Sequence, residues 1–197
     1  DVDLSNDFLS IGEVFLFGAD IGGSLSCNGE FINAKGMALA VKSTDIKGSV
    51  HLSKDFKAYG VVSFRNTTIE DEIRLEYQKP VILDLQFATV QTLYESQPLH
   101  KNLLLNEFIY EKINNISTIK LDQWQDWLRW QYKNDFSEEF SPQPYNQLAA
   151  TLKKGGFEKY ATEILIAKQE DKRHYGKLNW LSKWWSQLLG ITIAHGY

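Results

Sequence analysis

A repeat in the first half of the chain constrains the fold more than any other feature. Its anchors are Ile21, Ile46, Ile69 and Val90, separated by 25, 23 and 21 residues. Around each anchor, apolar residues recur two positions apart, which is the spacing of side chains on one face of a β-strand. Repetition with a period of this length is typical of a solenoid, in which each unit buries its apolar face against the next.

Turn-forming residues separate the apolar pairs within each unit, and no long polar segment separates one unit from the next. This arrangement favours a mainly β chain with some α structure, built around a right-handed parallel β-helix of about four to five coils over residues 1–117. Leucine-rich repeats share the period but need a recurring Asn and a helical second segment, and neither occurs here. We expect two interior ladders, one of large apolar residues and one of small residues at a crowded corner: Ile21–Ile46–Ile69–Val90 and Ala19–Thr44–Thr67–Ala88.

The beginning of the chain repeats part of a later coil. The segment from Leu4 to Phe8 matches the segment from Leu52 to Phe56, so residue 1 is expected to fall inside a coil. One interpretation is that earlier coils of a longer protein precede this segment. The other is that the first coil is an imperfect copy of the repeat, and the residues alone leave both open.

After about residue 118 the apolar spacing changes from two to three and four, which predicts an α-helical cap over residues 118–197. A first helix begins near Leu121 and carries Trp124 and Trp127 on one face. A second starts in the turn that contains Pro144 and stops at Gly155, and a third runs over 157–173. We expect these helices to cover the open end of the β-helix, where unpaired strand edges would otherwise recruit another chain.

The last segment of the chain is rich in tryptophan. From Lys153 onward the chain carries eight basic residues against four acidic ones, although its net charge is −4. Tryptophans beside cations favour the interface of an anionic membrane, and the same pattern also fits a helix packed on its neighbours. The residues predicted to contact a membrane or a partner are Trp180, Leu181, Trp184, Trp185 and Leu188.

Several stretches together resemble a bacterial β-solenoid family whose members are often named membrane-associated oxidoreductase or hypothetical protein. They are the Gly-Ala-Asp-Ile-Gly-Gly stretch over 18–23, the run from Gln143 through Tyr145 to Ala149, and the closing residues 195–197. The resemblance implies a hydrophobic, membrane-inserted region after the position of residue 197. It implies no cofactor site and no catalytic residue.

The residues themselves give no sign of metal, phosphate or dinucleotide chemistry. His51, His100, His174 and His195 have no partner at the spacing of a metal site. Cys27 has no second cysteine and occupies the position of a small core residue. No dinucleotide-binding glycine motif, phosphate-binding loop or nucleophile elbow occurs, so we expect no cofactor and assign no catalytic or metal-binding residue.

One polar cluster could support catalysis. It contains Glu70, Asp71, Glu72 and Arg74, with Arg65 and Asp84 expected on neighbouring strands. A carbohydrate-active β-helix enzyme of the glycosidase or lyase type would place such carboxylates on an exterior strand face. A solvated turn is the alternative interpretation, since these coils have almost no loop insertions from which to build a substrate groove.

The leading functional prediction is a non-catalytic binding or scaffold module on the cytoplasmic side of a membrane. Its expected partners are an anionic membrane surface and a protein, the latter including a second copy that joins end to end at the open solenoid edge. An acidic solenoid does not attract nucleic acid. Mimicry of duplex DNA would require square coils of constant length, and the observed anchor separations of 25, 23 and 21 do not provide them.

Overall fold

The computed structural model describes residues 1–5, 7–78, 81–96, 99–133 and 140–176. It confirms the predicted fold class, because parallel sheets form a β-solenoid of about five turns that is followed by α-helices. The strands in chain order are β1 Val2–Leu4, β2 Leu9–Ile11, β3 Val14–Phe17, β4 Asp20–Ile21, β5 Leu25–Cys27, β6 Glu30–Lys42, β7 Asp45–Ile46, β8 Val50–Leu52, β9 Lys57–Ser63, β10 Thr68–Leu75, β11 Ile82–Asp84, β12 Thr89–Glu95, β13 Leu103–Leu104 and β14 Ile109–Ile113.

The described strands form two walls, and the strand pairings within each wall are parallel. An eight-stranded sheet runs in the order β1-β5-β8-β10-β12-β14, with β4 and β7 attached beside it. A six-stranded sheet runs in the order β13-β11-β9-β6-β2, with β3 paired to β6. Each strand therefore hydrogen-bonds to the equivalent strand of the next coil, so one period of the sequence forms one coil of the solenoid.

The interior consists of stacked apolar ladders. The predicted ladder of Ile21, Ile46, Ile69 and Val90 is confirmed, and it continues to Tyr110 in β14. A second ladder runs through Val2, Leu25, Val50, Ile73, Leu93 and Ile113. Stacking equivalent apolar side chains in this way removes each coil's inner face from water, which is the main driving force for the fold.

Small residues at one corner carry hydrogen bonds as well as fitting a confined space. The Thr44 hydroxyl donates to the Leu16 carbonyl over 2.9 Å, and the Thr67 hydroxyl donates to the Val41 carbonyl over 2.6 Å. Each bond joins one coil to the previous coil and satisfies a buried polar group. This corner is the one at which the repeat predicted small residues.

A column of rings fills another corner. Phe8, Phe31, Phe56 and Tyr77 stack from coil to coil with ring centroids 5.2 to 6.1 Å apart, and the imidazole of His100 ends the column 4.0 Å from Tyr77. Tilted and edge-on ring contacts at these distances are favourable beyond the area that they bury.

Within the described residues, three α-helices follow a short 3-10 helix over Ile116–Thr118: α1 Leu121–Lys133, α2 Gln143–Lys154 and α3 Glu158–Tyr175. Pro144 lies in the first turn of α2, where the missing amide hydrogen is not needed, and the Gly155 amide caps the end of that helix. The third helix begins one residue later and ends two residues later than the sequence predicted. Lys168 from the middle of α3 donates to Asn146 in the first turns of α2 over 2.8 Å, so the two helices lie side by side.

Candidate functional site

The acidic cluster lies on the outer surface of the eight-stranded sheet, where β10 carries a register shift between Ile69 and Glu72. Glu70 forms an ion pair with Lys47 of the previous coil at 2.5 Å. Asp71 accepts a hydrogen bond from the Ser49 hydroxyl of the same coil at 2.8 Å. Both carboxylates therefore connect neighbouring coils along the wall.

The other two cluster residues also contact a neighbouring coil or each other. Arg74 donates to Glu72 over 2.8 and 2.9 Å, and Asn114 of a later segment donates to the same carboxylate over 3.1 Å. The guanidinium of Arg74 also lies 4.4 Å from the ring centre of Tyr94. The hydrogen bond that Arg74 donates to Glu72 raises the pKa of Arg74 against the opposing effect of partial burial, so this cation stays charged.

Arg65 and Asp84 do not join this cluster. Asp84 ends β11 in the six-stranded sheet, and Arg65 donates to it over 3.1 Å on the other wall of the solenoid. The expectation that these two residues extend the cluster is therefore wrong. The reason is that the chain passes from one wall to the other between Arg65 and Thr68, which the spacing of charged residues does not reveal.

The last coil is covered by glutamine side chains from two helices. Gln131 of α1 accepts a hydrogen bond from the Leu105 amide over 3.1 Å. Gln143 and Gln147 of α2 donate to the Phe108 and Tyr110 carbonyls over 3.1 and 2.6 Å. These amides take the place of the next coil's backbone, so the helices cover this end of the solenoid as expected.

The helices are joined to one another by a buried acid. The Nε–H of Arg129 in α1 is shared between both carboxylate oxygens of Asp171 in α3, at 2.8 and 3.0 Å. The Tyr145 hydroxyl of α2 donates to the same carboxylate over 2.8 Å. Burial is the main cause that raises the pKa of Tyr145, and the neighbouring Asp171 adds to it, so the phenol remains a donor. One carboxylate thus fixes the positions of α1, α2 and α3 relative to one another.

The sequence reading missed a second buried acid, Glu95, which occupies an interior position. The strand register pairs Glu95 with Leu75 of the previous coil. Leu75 continues an interior ladder that earlier coils fill with Leu4, Cys27 and Leu52. The Glu95 side chain is fully buried, and three N–H groups lie within hydrogen-bonding distance: the His100 amide at 3.2 Å, the His100 ring Nδ1 at 2.7 Å and the Trp127 indole at 3.2 Å. A carboxylate in this ladder therefore connects the last coils to α1.

The protonation state of His100 follows from its two ring contacts. The Nε2 atom donates to the Tyr77 carbonyl over 2.7 Å, because a carbonyl can only accept. Burial lowers the pKa of His100, but the combined effect of Glu95 and the Tyr77 carbonyl is larger and in the opposite direction. The pKa of His100 is therefore raised above its usual value. An imidazolium bonded to a carboxylate satisfies every contact. Both ring nitrogens are occupied and the residue is 9% exposed, so the pair is suited to structure and not to attack on a substrate.

Apolar side chains are exposed on the outer surface of the six-stranded sheet near its first coil. We call this surface the apolar face, and its residues are Leu9, Ile11, Phe15, Phe17 and Tyr59. Their exposed fractions run from 44% to 83%, and the rings of Phe15 and Phe17 are parallel with centroids 5.7 Å apart. Clustered exposure of this kind marks an interaction surface more often than scattered single residues do.

The described part of the chain offers little for small-molecule chemistry. A shallow groove of about 440 Å³ lies between α2 and α3, and small or apolar side chains, including Ala149, Ala161 and Leu165, line much of it. Within the described ranges, no group of three or more His, Cys, Asp or Glu side chains is placed to hold a metal ion. Cys27 is buried, which raises the pKa of its thiol to about 12 and leaves it a poor nucleophile.

The predicted contact residues Trp180, Leu181, Trp184, Trp185 and Leu188 lie outside the described residues. Among the helices that are described, none is long and apolar enough to cross a membrane. Comparison of the chain with protein-family models, with curated proteins and with solved structures found no match. The resemblance to the membrane-associated family therefore stays a prediction.

Proposed function

We propose that this chain is a non-catalytic binding module, in which a rigid β-solenoid forms a platform held at an anionic membrane surface on the cytoplasmic side. The observation that carries the proposal is the state of the acidic cluster. Its carboxylates form contacts along one wall, where Glu70 and Asp71 contact one neighbouring coil and Glu72 contacts Arg74 and Asn114. A glycosidase or lyase would instead need carboxylates facing each other across a substrate groove.

The rigidity of the platform supports a binding role. Ladders of buried side chains run through the coils, and helix side chains satisfy backbone groups of the last coil. Catalytic sites usually rely on mobile loops carried by a scaffold, whereas a flat wall of short coils is suited to holding a partner in a fixed orientation.

The membrane contact is proposed for the tryptophan-rich segment. Residues 181, 184, 185 and 188 would share one face of a helix, and Trp180 would lie at the margin of that face. Lysines and arginines near an anionic surface contribute roughly 1 kcal/mol each, so the basic excess after Lys153 would add to the apolar insertion.

Vesicle binding tests the proposal. The chain should bind vesicles that contain phosphatidylserine, with a blue shift of tryptophan emission, and high salt should weaken the binding. The double variant Trp184→Ala/Trp185→Ala should lose most of it. The matched control is Trp130→Ala in α1, which should retain binding. Unchanged binding by the double variant would refute the membrane part of the proposal.

A further inference from the structure

The groove between α2 and α3 has an apolar floor that the described part of the chain leaves uncovered. Ala149 and Ala161 form the floor, and Ala150 and Leu165 line it toward solvent, where Leu165 is 40% exposed. In each helix the lining residues follow spacings of three, one and three positions, so they lie on one helical face. The groove therefore runs along both helices for about two turns.

Charged side chains line the groove only at its ends. Lys153 and Glu158 lie at one end, and at the other Lys168 donates a hydrogen bond to Asn146. Between the ends the one polar side chain in the lining is Thr162, whose hydroxyl donates to the Glu158 carbonyl over 3.0 Å. Small side chains on a helix surface leave room for large ones opposite them. The groove is thus suited to a helix with a bulky apolar face and few charges.

The sequence that follows α3 has a matching pattern. Leu181, Trp184, Trp185 and Leu188 are also spaced by three, one and three positions, so they would share one face of a helix. Lys183 is the one charged residue between positions 178 and 194. This face combines bulky apolar side chains with little charge, which is the complement of the groove.

The chain is long enough to bring this face to the groove. α3 ends at Tyr175, and five residue steps from there to Trp180 span at most ~17 Å, which is enough to cross the roughly 8–10 Å between two packed helices. A helix from Trp180 to Leu188 covers a further ~12 Å. Leu165 and Ala161 lie ~15 and ~21 Å before Tyr175 along α3. Both are within reach of a segment that turns back after α3.

We propose that residues 180–188 of this chain dock in the groove between α2 and α3, as a helix antiparallel to α3. The tether selects this occupant, because a segment attached so closely has an effective concentration on the order of 1 mM at the groove. A contact with a dissociation constant of ~100 µM between separate molecules would then form in about ten molecules out of eleven. A separate protein has to exceed that local concentration to displace the segment.

Docking regulates the membrane contact, and this part of the inference rests on the proposed function. The side chains of Trp184 and Trp185 can contact the groove or the lipid, but not both at once. Vesicles therefore capture only the undocked fraction, which is about one molecule in eleven, and the apparent affinity for the membrane falls about tenfold. The groove thus sets how much anionic lipid is needed to hold the chain at a membrane.

Acrylamide quenching of tryptophan fluorescence in the full chain tests the docking. The groove variant Ala150→Gln/Leu165→Gln fills the groove with uncharged polar side chains at two exposed positions, where glutamine suits a helix. Quenching should increase, because the tryptophans after α3 leave the groove while Trp124 and Trp127 stay buried. The matched control is Ile166→Gln, which should be quenched like the wild type, since Ile166 is 49% exposed on α3 and does not line the groove.

Titration with phosphatidylserine vesicles tests the competition. The groove variant should bind about tenfold more tightly than the wild type, and Ile166→Gln should bind like the wild type. Unchanged quenching and unchanged affinity in the groove variant would overturn the inference, even when the wild type binds vesicles. If neither chain binds vesicles, the proposed function and the competition both fail, whereas increased quenching would still support the docking. Far-UV circular dichroism identifies any failure to fold, and Leu165→Gln alone provides the test if the double variant does not fold.

Discussion

The buried pair of Glu95 and His100 allows the sharpest prediction about how this fold is held together. Replacing His100 by Phe keeps a ring at the end of the aromatic column and removes the ring donor to Glu95. The backbone amide of residue 100 would be lost as a second donor only if the backbone moved. With the backbone in place, the ring donor at 2.7 Å is lost and the amide and indole donors at 3.2 Å remain. The carboxylate is then a buried charge without its cation.

The magnitude follows from what burial does to an unpaired charge. Removing one partner of a buried ion pair costs about 3–5 kcal/mol, whereas replacing both by apolar residues of similar size is often nearly neutral. Glu95→Leu/His100→Phe gives the last coils the Leu and Phe that earlier coils have at Leu52 and Phe56. The double variant leaves the Trp127 indole without its acceptor, which costs about 1–3 kcal/mol. It should therefore be more stable than His100→Phe alone.

Urea unfolding followed by far-UV circular dichroism measures these differences. His100→Phe should lose about 3–5 kcal/mol, and adding Glu95→Leu should recover about 2–3 kcal/mol of it. Lys47→Ala, which breaks the exposed pair with Glu70, is the control and should leave the urea midpoint nearly unchanged. If the losses of unfolding free energy caused by Glu95→Leu and His100→Phe simply add in the double variant, the two residues do not act as one buried pair.

Three further predictions concern the same framework. Because the pKa of His100 is raised in the folded protein, its contribution to the free energy of unfolding is complete below about pH 6.5 and declines as pH rises through the raised pKa. Urea titrations at a series of pH values should show this decline in the wild type and not in His100→Phe. Gln143→Ala/Gln147→Ala should cost about 1–2 kcal/mol and speed amide exchange in the last coil, and unaltered exchange there would contradict the capping role. Gly60→Ala should be more destabilising than Gly156→Ala in thermal melts, because both have positive φ but only at Gly60 would the new Cβ meet backbone, at 2.4 Å; equal losses would contradict this.

The ladders and helices were predictable because their signals are local and periodic. Spacing of two identifies the inner residues of each coil, and stacking identical positions requires no knowledge of distant contacts. The start of α2 was equally clear, since Pro144 and the glycine at 155 act on the backbone around them. The ends of α3 moved by one and two residues, which is the usual uncertainty of helix boundaries.

Glu95 was missed because a buried carboxylate contradicts the pattern that reveals the coils. The repeat is regular only as far as Val90, and the insertion around residue 98 disturbs the spacing after it. Glu95 nevertheless stands two residues after Leu93, as Leu52 stands two after Val50. The signal was present, but His100 and Trp127 become partners of Glu95 only when the chain is folded.

The apolar face was missed for a different reason. Residues 14–17 are apolar at every position, so alternation does not separate the inner side chains from the outer ones. Only the register with β6 shows that Val14 and Leu16 face the core while Phe15 and Phe17 face outward. Where both faces of a strand are apolar, the sequence indicates burial but not direction.

Hydrogen–deuterium exchange of the full chain, with and without phosphatidylserine vesicles, tests the central proposal most directly. A rigid module held at a membrane should gain protection over residues 177–197 when vesicles are added, while exchange in the strands of the eight-stranded sheet stays the same. Vesicles that leave residues 177–197 unchanged would contradict the proposed membrane contact. An oligosaccharide that protects the segment from Glu70 to Arg74 would contradict the non-catalytic role and favour the carbohydrate-active alternative.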